Sequence, residues 1–138
     1  MILYLDTSAL VKLLRVEQGS EAVWEGAERA QALASSNVAK IEVHSAFARL
    51  LREGLPTEVV RASLVAFEAL WSGMAQVQMD RAVTAACGLC LKHSLRTLDA
   101  IHLASALLLR EEGGLDVVFA CADGRLREAA AAEGFWLV

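Results

Sequence analysis

The chain opens Met1-Ile2-Leu3-Tyr4-Leu5-Asp6-Thr7-Ser8. Ile2 to Leu5 are apolar or aromatic with no charge among them, which predicts a short strand buried on both faces, as in the interior of a parallel sheet. The run stops at Asp6. In open α/β sheets ligands bind beyond the carboxyl ends of the strands, so Asp6 stands where chemistry is usually found, with a helix start behind it at Thr7-Ser8. The competing reading makes Asp6 or Ser8 a plain helix N-cap, and the rest of the chain has to decide between the two.

Ala9 to Leu14 carries a helical pattern that ends near Glu17-Gln18-Gly19. Ser20 is the expected cap of a second helix reaching about Gln31, and Ala32 to Ser35 the second strand. Ser36 or Asn37 should cap a helix from Val38 to about Glu53, stopped by Gly54 and Pro56. Thr57 should cap the next, through Trp71. Ala75 to Met79 reads as the third strand, Asp80 opens a helix toward His93, and Thr97 caps another from Leu98 to Arg110. Asp116 to Cys121 is the fourth strand, Arg125 to Glu133 the last helix, and Phe135 to Val138 the closing strand. Short apolar strands alternating with helices imply βα units and a parallel sheet with right-handed crossovers. No repeat, low-complexity tract or linker interrupts the pattern, so residues 1–138 are expected to form a single domain.

The chain is 56% hydrophobic, with a mean hydropathy of +0.42. Arg49, Glu68, Asp99 and His102 interrupt its apolar stretches well short of a membrane-spanning length. The start lacks the basic segment of a signal peptide, which predicts a cytoplasmic protein with no membrane partner. The excess apolar content predicts that part of the surface is covered by a partner or a second copy. A net charge of −4 argues against a simple DNA-binding module. It does not argue against a nuclease, because divalent cations offset clustered carboxylates. Cys87, Cys90 and Cys121 fit no disulfide framework. Cys87-Gly88-Leu89-Cys90 with His93 lacks a fourth ligand, so the thiols are expected to be buried as small apolar groups.

Four carboxylates occupy costly places. Asp6 ends the first strand, and Asp123 follows the fourth. Asp99 lies in the first turn of a helix apolar on most sides, and Glu42 near the start of the helix from Val38, between Ile41 and Val43. Each alone is explained by a cap or by a helix dipole. Four acids converging on one rim need more. Two like charges about 4 Å apart repel by about 4 kcal/mol at an effective dielectric of 20. A divalent cation removes that penalty, and oxygen-only ligands select Mg²⁺ or Mn²⁺. Such a cage suits phosphodiester hydrolysis. His102, one turn after Asp99, is placed to face the same site, either as support and packing or as a general acid. Lys12 and Arg15, one turn apart beyond Asp6, are either a solvated face or contacts for the phosphates of such a substrate.

Asp6-Thr7-Ser8-Ala9-Leu10, Glu42-Val43, Arg96-Thr97-Leu98-Asp99-Ala100-Ile101-His102-Leu103-Ala104 and Ala122-Asp123 resemble the four acidic motifs of PIN-domain ribonucleases. Within that group the chain most resembles the VapC-type toxins of bacterial and archaeal toxin–antitoxin pairs, and Glu17-Gln18-Gly19-Ser20-Glu21 is similar to theirs. The resemblance covers the whole chain in order. It implies a PIN-like three-layer α/β sandwich, with a central five-stranded parallel sheet in the order 3-2-1-4-5 and helices on both faces. It implies that Asp6, Glu42, Asp99 and Asp123 are catalytic and carry Mg²⁺ (or Mn²⁺), with Ser8 hydrogen-bonding within the site. The implied activity is hydrolysis of RNA by a homodimer held inactive by a small antitoxin protein. One position departs from the pattern. The family usually has Thr or Ser two residues before the last acid, and Cys121 stands there, expected to support the site less firmly than a hydroxyl.

Rival readings fit less well. A haloacid-dehalogenase-type phosphatase needs a second Asp where Ser8 stands. A phospho-acceptor receiver domain needs an acidic pair after the first strand and a late Lys. A P-loop is absent. The remaining alternative is a free-standing or catalytically inactive PIN-like domain acting as a binding scaffold, and the presence of all four acids argues against inactivity.

Overall fold

A computed structural model describes residues 1–138. Its strands are β1 (Ile2–Leu5), β2 (Ala32–Ser36), β3 (Ala75–Val77), β4 (Val117–Ala120) and β5 (Trp136–Leu137). Its helices are α1 (Thr7–Leu14), α2 (Ser20–Arg29), α3 (Ala39–Arg52), α4 (Thr57–Ser72), α5 (Met79–His93), α6 (Thr97–Glu111) and α7 (Gly124–Ala132). The strands form one all-parallel sheet in the order β3-β2-β1-β4-β5. This is the expected α/β sandwich.

β1 is central because it is apolar on both faces. Its side chains alternate across the sheet. Leu3 and Leu5 pack with Leu10, Val43, Phe47, Phe67 and Trp71 from α1, α3 and α4. Tyr4 points the other way, among Leu89, Leu103, Phe119 and Leu126. In α4 the buried residues Val60, Ser63, Phe67 and Trp71 recur every three or four positions, and Val65 on the outer face is 67% exposed. No helix is long and apolar enough to cross a membrane.

Several expected caps take other roles. The chain enters α2 from Gly19, whose left-handed φ of 89° suits glycine. Ser20 is already helical; its hydroxyl donates to the Arg15 carbonyl and accepts from the Glu17 N–H, tying down the preceding loop. Asn37 does not cap α3. Its amide donates to Gln78 Oε1 and accepts from the Met79 N–H, locking the end of β2 to the start of α5. Thr57 and Thr97 are the first helical residues after Pro56 and Arg96, and no side chain caps either helix. The cysteines also differ from expectation: Cys121 is buried, Cys90 half-buried and Cys87 exposed.

Candidate active site

Two of the acids are helix caps as well as site residues. Asp6 accepts at Oδ1 from the Ala9 N–H at 2.8 Å and from the Ser8 hydroxyl at 2.6 Å. Asp123 accepts at Oδ2 from the Leu126 N–H at 2.9 Å. Capping of this kind contributes about 1 kcal/mol. It occupies one oxygen of each carboxylate. Asp6 Oδ2 and Asp123 Oδ1 take no hydrogen bond within the protein, and every fully buried side-chain polar atom has a partner, so these oxygens open on the cleft. Capping therefore leaves one oxygen of each residue facing the cleft. Ser8 makes the bond within the site that the resemblance implied, and its oxygen also accepts from the Ala122 N–H at 2.9 Å.

Glu42, in the first turn of α3, is held differently. Its Oε1 accepts from the Thr7 hydroxyl at 2.9 Å and lies 2.8 Å from His102 Nε2. Burial works to raise its pKa, but His102 and the hydrogen bond from Thr7 outweigh burial and hold it below the ordinary glutamate value. His102 is only 2% exposed, and its Nδ1 lies 2.9 Å from the Tyr4 hydroxyl. The ring therefore supports Glu42 from within the core and is not placed at the surface as a free general acid.

Asp6, Glu42, Asp99 and Asp123 all line one cleft of about 560 Å³, together with Thr7, Ser8, Arg49, Arg52, Arg96 and His102. Burial pushes the Asp6 carboxyl up from its ordinary value, and Asp99 adds to this against the opposing effect of His102 and the bonds from Ser8 and Ala9. Burial and then the charge of Asp123 push Asp99 up, against Arg96. Arg96 stands between these two acids, with Nε 3.5 Å from Asp99 Oδ2 and Nη2 4.0 Å from Asp123 Oδ1. No three of the acid, His or Cys side chains are gathered closely enough to hold a metal ion as they stand. Two features nevertheless fit a hard divalent cation: four carboxylates line the cleft, and a cationic guanidinium already bridges Asp99 and Asp123.

The expected RNA contacts are not in this cleft. Lys12 Nζ is bound to Glu17 Oε1 at 3.0 Å and to the Gln18 carbonyl at 2.6 Å, and its side chain is 15% exposed. It lines a neighbouring cleft of about 660 Å³ with Cys121 and Arg127. Arg15 ends α1 and lines neither cleft. The basic residues at the acidic cleft are Arg49, Arg52 and Arg96. Arg49 and Arg52 lie within α3, about two and three turns beyond Glu42, and that spacing was available in the sequence as a signal. The Cys121 thiol packs in the core and makes no hydrogen bond to any of the four acids. Burial and the charges of Asp6, Asp123 and Asp99 hold it protonated, against Arg127. Thr7 and Tyr4, which touch the Glu42 and His102 pair, carried no separate signal: one reads as part of a cap, the other as strand core.

Residues 3–132 match the PIN domain family. The chain is 38% identical to Ribonuclease VapC45 of Mycobacterium tuberculosis, over 96% of this chain and 92% of that protein. It is 35% identical to Ribonuclease VapC46 of the same species, over 99% and 95%. Among solved structures, PAE2754 from Pyrobaculum aerophilum superposes with a TM-score of 0.64 at 18% identity, covering 100% of this chain and 84% of that one. VapBC2 from Rickettsia felis, solved bound to a DNA fragment from their promoter, gives 0.64 at 12%, covering 100% and 98%. At that identity the two structures speak to the fold. The family match and the near-full-length relatives together show that the chain belongs to the PIN-domain family, in its VapC-type branch.

Proposed function

We propose that this protein is a metal-dependent endoribonuclease, a single PIN-like domain over residues 1–138 that serves as the toxin of a toxin–antitoxin pair. The observation that carries the reading is one cleft lined by Asp6, Glu42, Asp99 and Asp123 together with Arg49, Arg52 and Arg96. Acids alone would repel a polyanion, and arginines alone would only bind it. Relatives named as VapC ribonucleases support the choice of RNA as substrate.

The free oxygens of Asp6, Asp123, Asp99 and Glu42 would hold Mg²⁺ or Mn²⁺. Such an ion, when bound, supplies an activated water and stabilises charge on the phosphoryl oxygens. The chain's own groups do the rest. Arg49 and Arg52 are placed to bind substrate phosphates at the cleft. Arg96, largely exposed beside Asp99 and Asp123, would be available to a substrate phosphate where Mg²⁺ or Mn²⁺ neutralised those carboxylates. Ser8 and Thr7 keep Asp6 and Glu42 oriented. A cytoplasmic homodimer and a small antitoxin protein complete the reading. The exposed apolar residues Val59 and Val65 of α4 and Ile41 of α3 supply surface for a partner to cover.

RNA cleavage should occur with Mg²⁺ or Mn²⁺ and stop in EDTA. Cleavage that persists in EDTA overturns the metal. No cleavage of any RNA with either ion, by protein free of antitoxin, favours the inactive scaffold instead.

A further inference from the structure

We propose that Tyr4 and His102 are positioning residues: from inside the core, they fix which oxygen of Glu42 faces the cleft. The proposal rests on the reading of Glu42 as a site residue. His102 lies on α6 among Ile101, Leu103 and Ala104, and a buried imidazole needs partners for both nitrogens. It has them: Tyr4 Oη at 2.9 Å from Nδ1 and Glu42 Oε1 at 2.8 Å from Nε2. An ionised carboxylate can only accept, so Nε2 carries the hydrogen. In a neutral ring Nδ1 is then the acceptor, and the Tyr4 hydroxyl donates to it. The chain of bonds runs in one direction, from Tyr4 O–H to Nδ1 and from Nε2–H to Oε1.

Tyr4 is well suited to anchor that chain. It is fully buried on the central strand, and its ring stacks on Phe119 with centroids 5.3 Å apart. Its backbone is two residues from Asp6. Strand β1 thus places Asp6 directly and Glu42 through two side chains. The same contact joins α3 to α6, so Glu42 keeps its position relative to Asp99, one turn from His102. With Oε1 taken by His102 and Thr7, Oε2 is the oxygen left for the cleft.

Three variants test this. Tyr4→Phe removes only the hydroxyl. His102→Gln keeps an N–H donor near Nε2, and His102→Leu removes both bonds. The readouts are Mn²⁺ affinity by electron paramagnetic resonance without RNA, kcat and KM for RNA cleavage, and the imidazole tautomer by ¹⁵N NMR. We expect the His102 ring to be protonated at Nε2. His102→Leu should weaken Mn²⁺ binding about tenfold or more and lower kcat with KM for RNA unchanged. His102→Gln should recover most of the loss, and Tyr4→Phe should lose a few fold while staying folded. Wild-type Mn²⁺ affinity and kcat in Tyr4→Phe and His102→Leu, or a ring protonated at Nδ1, overturns the proposal while leaving the metal reading standing. If wild-type protein binds no Mn²⁺, the metal reading fails and this proposal fails with it. If His102→Leu does not fold, Tyr4→Phe and the tautomer decide.

Discussion

The Ser8 hydroxyl donates to Asp6 Oδ1 at 2.6 Å and its oxygen accepts from the Ala122 N–H at 2.9 Å. One small side chain therefore joins the turn after β1 to the turn after β4, and orients Asp6 next to the segment that carries Asp123. Ser8→Ala should cost under about 1 kcal/mol of stability, because water can reach the exposed Ala122 N–H. It should cost tenfold or more in cleavage, as loss of a supporting bond to a site carboxylate typically does. Thermal melts alongside kcat/KM for RNA separate the two effects. A parallel fall in both would make Ser8 a structural residue only.

Asp6→Asn should abolish cleavage and make the metal-free protein more stable by ~1 kcal/mol, a shift of a few degrees in Tm. An Asn side chain still caps α1, and the buried charge is gone. The pH dependence follows from the same groups. Asp6 and Asp99 are raised above their ordinary 3.8, so their ionised forms cost stability at neutral pH, and that cost is relieved as protons bind. Glu42 is lowered from 4.5, so the stability it contributes is present above 4.5 and lost as pH falls through its folded value. Metal-free wild-type protein should therefore gain stability from pH 7 toward about 4.5 and lose it below. Asp6→Asn should flatten the gain. Melting curves across that range in EDTA check it, and a steady loss from pH 7 downward would contradict the assigned shifts.

The fold was legible because its signals were redundant. The strand from Ile2 to Leu5 reads as an interior strand because it is apolar at both Leu3 and Tyr4, and the structure buries both. The acids were legible because each stood at the end of an apolar strand or in the first turn of an apolar helix. The support around Glu42 was not. Its partners are 35 and 60 residues away in sequence, and no local pattern marks a core tyrosine as a hydrogen-bond donor. The pairing of Lys12 was hidden for a related reason: a lysine about two turns beyond a strand end looks free until Glu17 and the Gln18 carbonyl are seen to hold it.

Arg96→Gln should act in opposite directions on two ligands. Its side chain is 79% exposed, so its ion pairs contribute only tenths of a kcal/mol and yield readily to a divalent cation. Removing it leaves Asp99 and Asp123 without a competitor, so Mn²⁺ binding without RNA should tighten a few fold. RNA binding should weaken, because a phosphate contact is lost. Calorimetric titration with Mn²⁺ and filter binding with RNA test the two halves, and movement of both affinities in the same direction would refute the exchange.

Arg49 and Arg52 should outweigh Lys12 in substrate binding. The double variant Arg49→Gln with Arg52→Gln should reduce RNA affinity and flatten its dependence on log salt by roughly 1, the amount expected for one to two phosphate contacts on a single strand. Lys12→Gln should leave that slope unchanged and lower Tm, since Lys12 pins the loop after α1 through Glu17 and the Gln18 carbonyl. Equal salt slopes in wild-type protein and the double arginine variant would move the RNA path elsewhere.

Cys121→Ser tests whether the sulfur matters to the site. The thiol is 4% exposed, in the cluster that contains Tyr4, Phe119 and Leu126. Burial and the charges of Asp6, Asp123 and Asp99 hold it protonated, which removes the thiolate a redox switch needs. It makes no hydrogen bond to a site carboxylate, so a hydroxyl in its place has no bond of that kind to strengthen. The cost of the exchange is a polar group in an apolar pocket, about 1–3 kcal/mol if it finds no partner. Cys121→Ser should therefore melt several degrees lower while its Mg²⁺ dependence of RNA cleavage, measured under reducing conditions below the melt, overlays the wild-type curve. Oxidant should affect both forms alike. A tenfold fall in kcat at saturating Mg²⁺, equivalent to roughly 1.4 kcal/mol of transition-state stabilisation, would show that the sulfur supports the acids after all. A gain at limiting Mg²⁺ would show that a hydroxyl here reaches a carboxylate that the thiol does not.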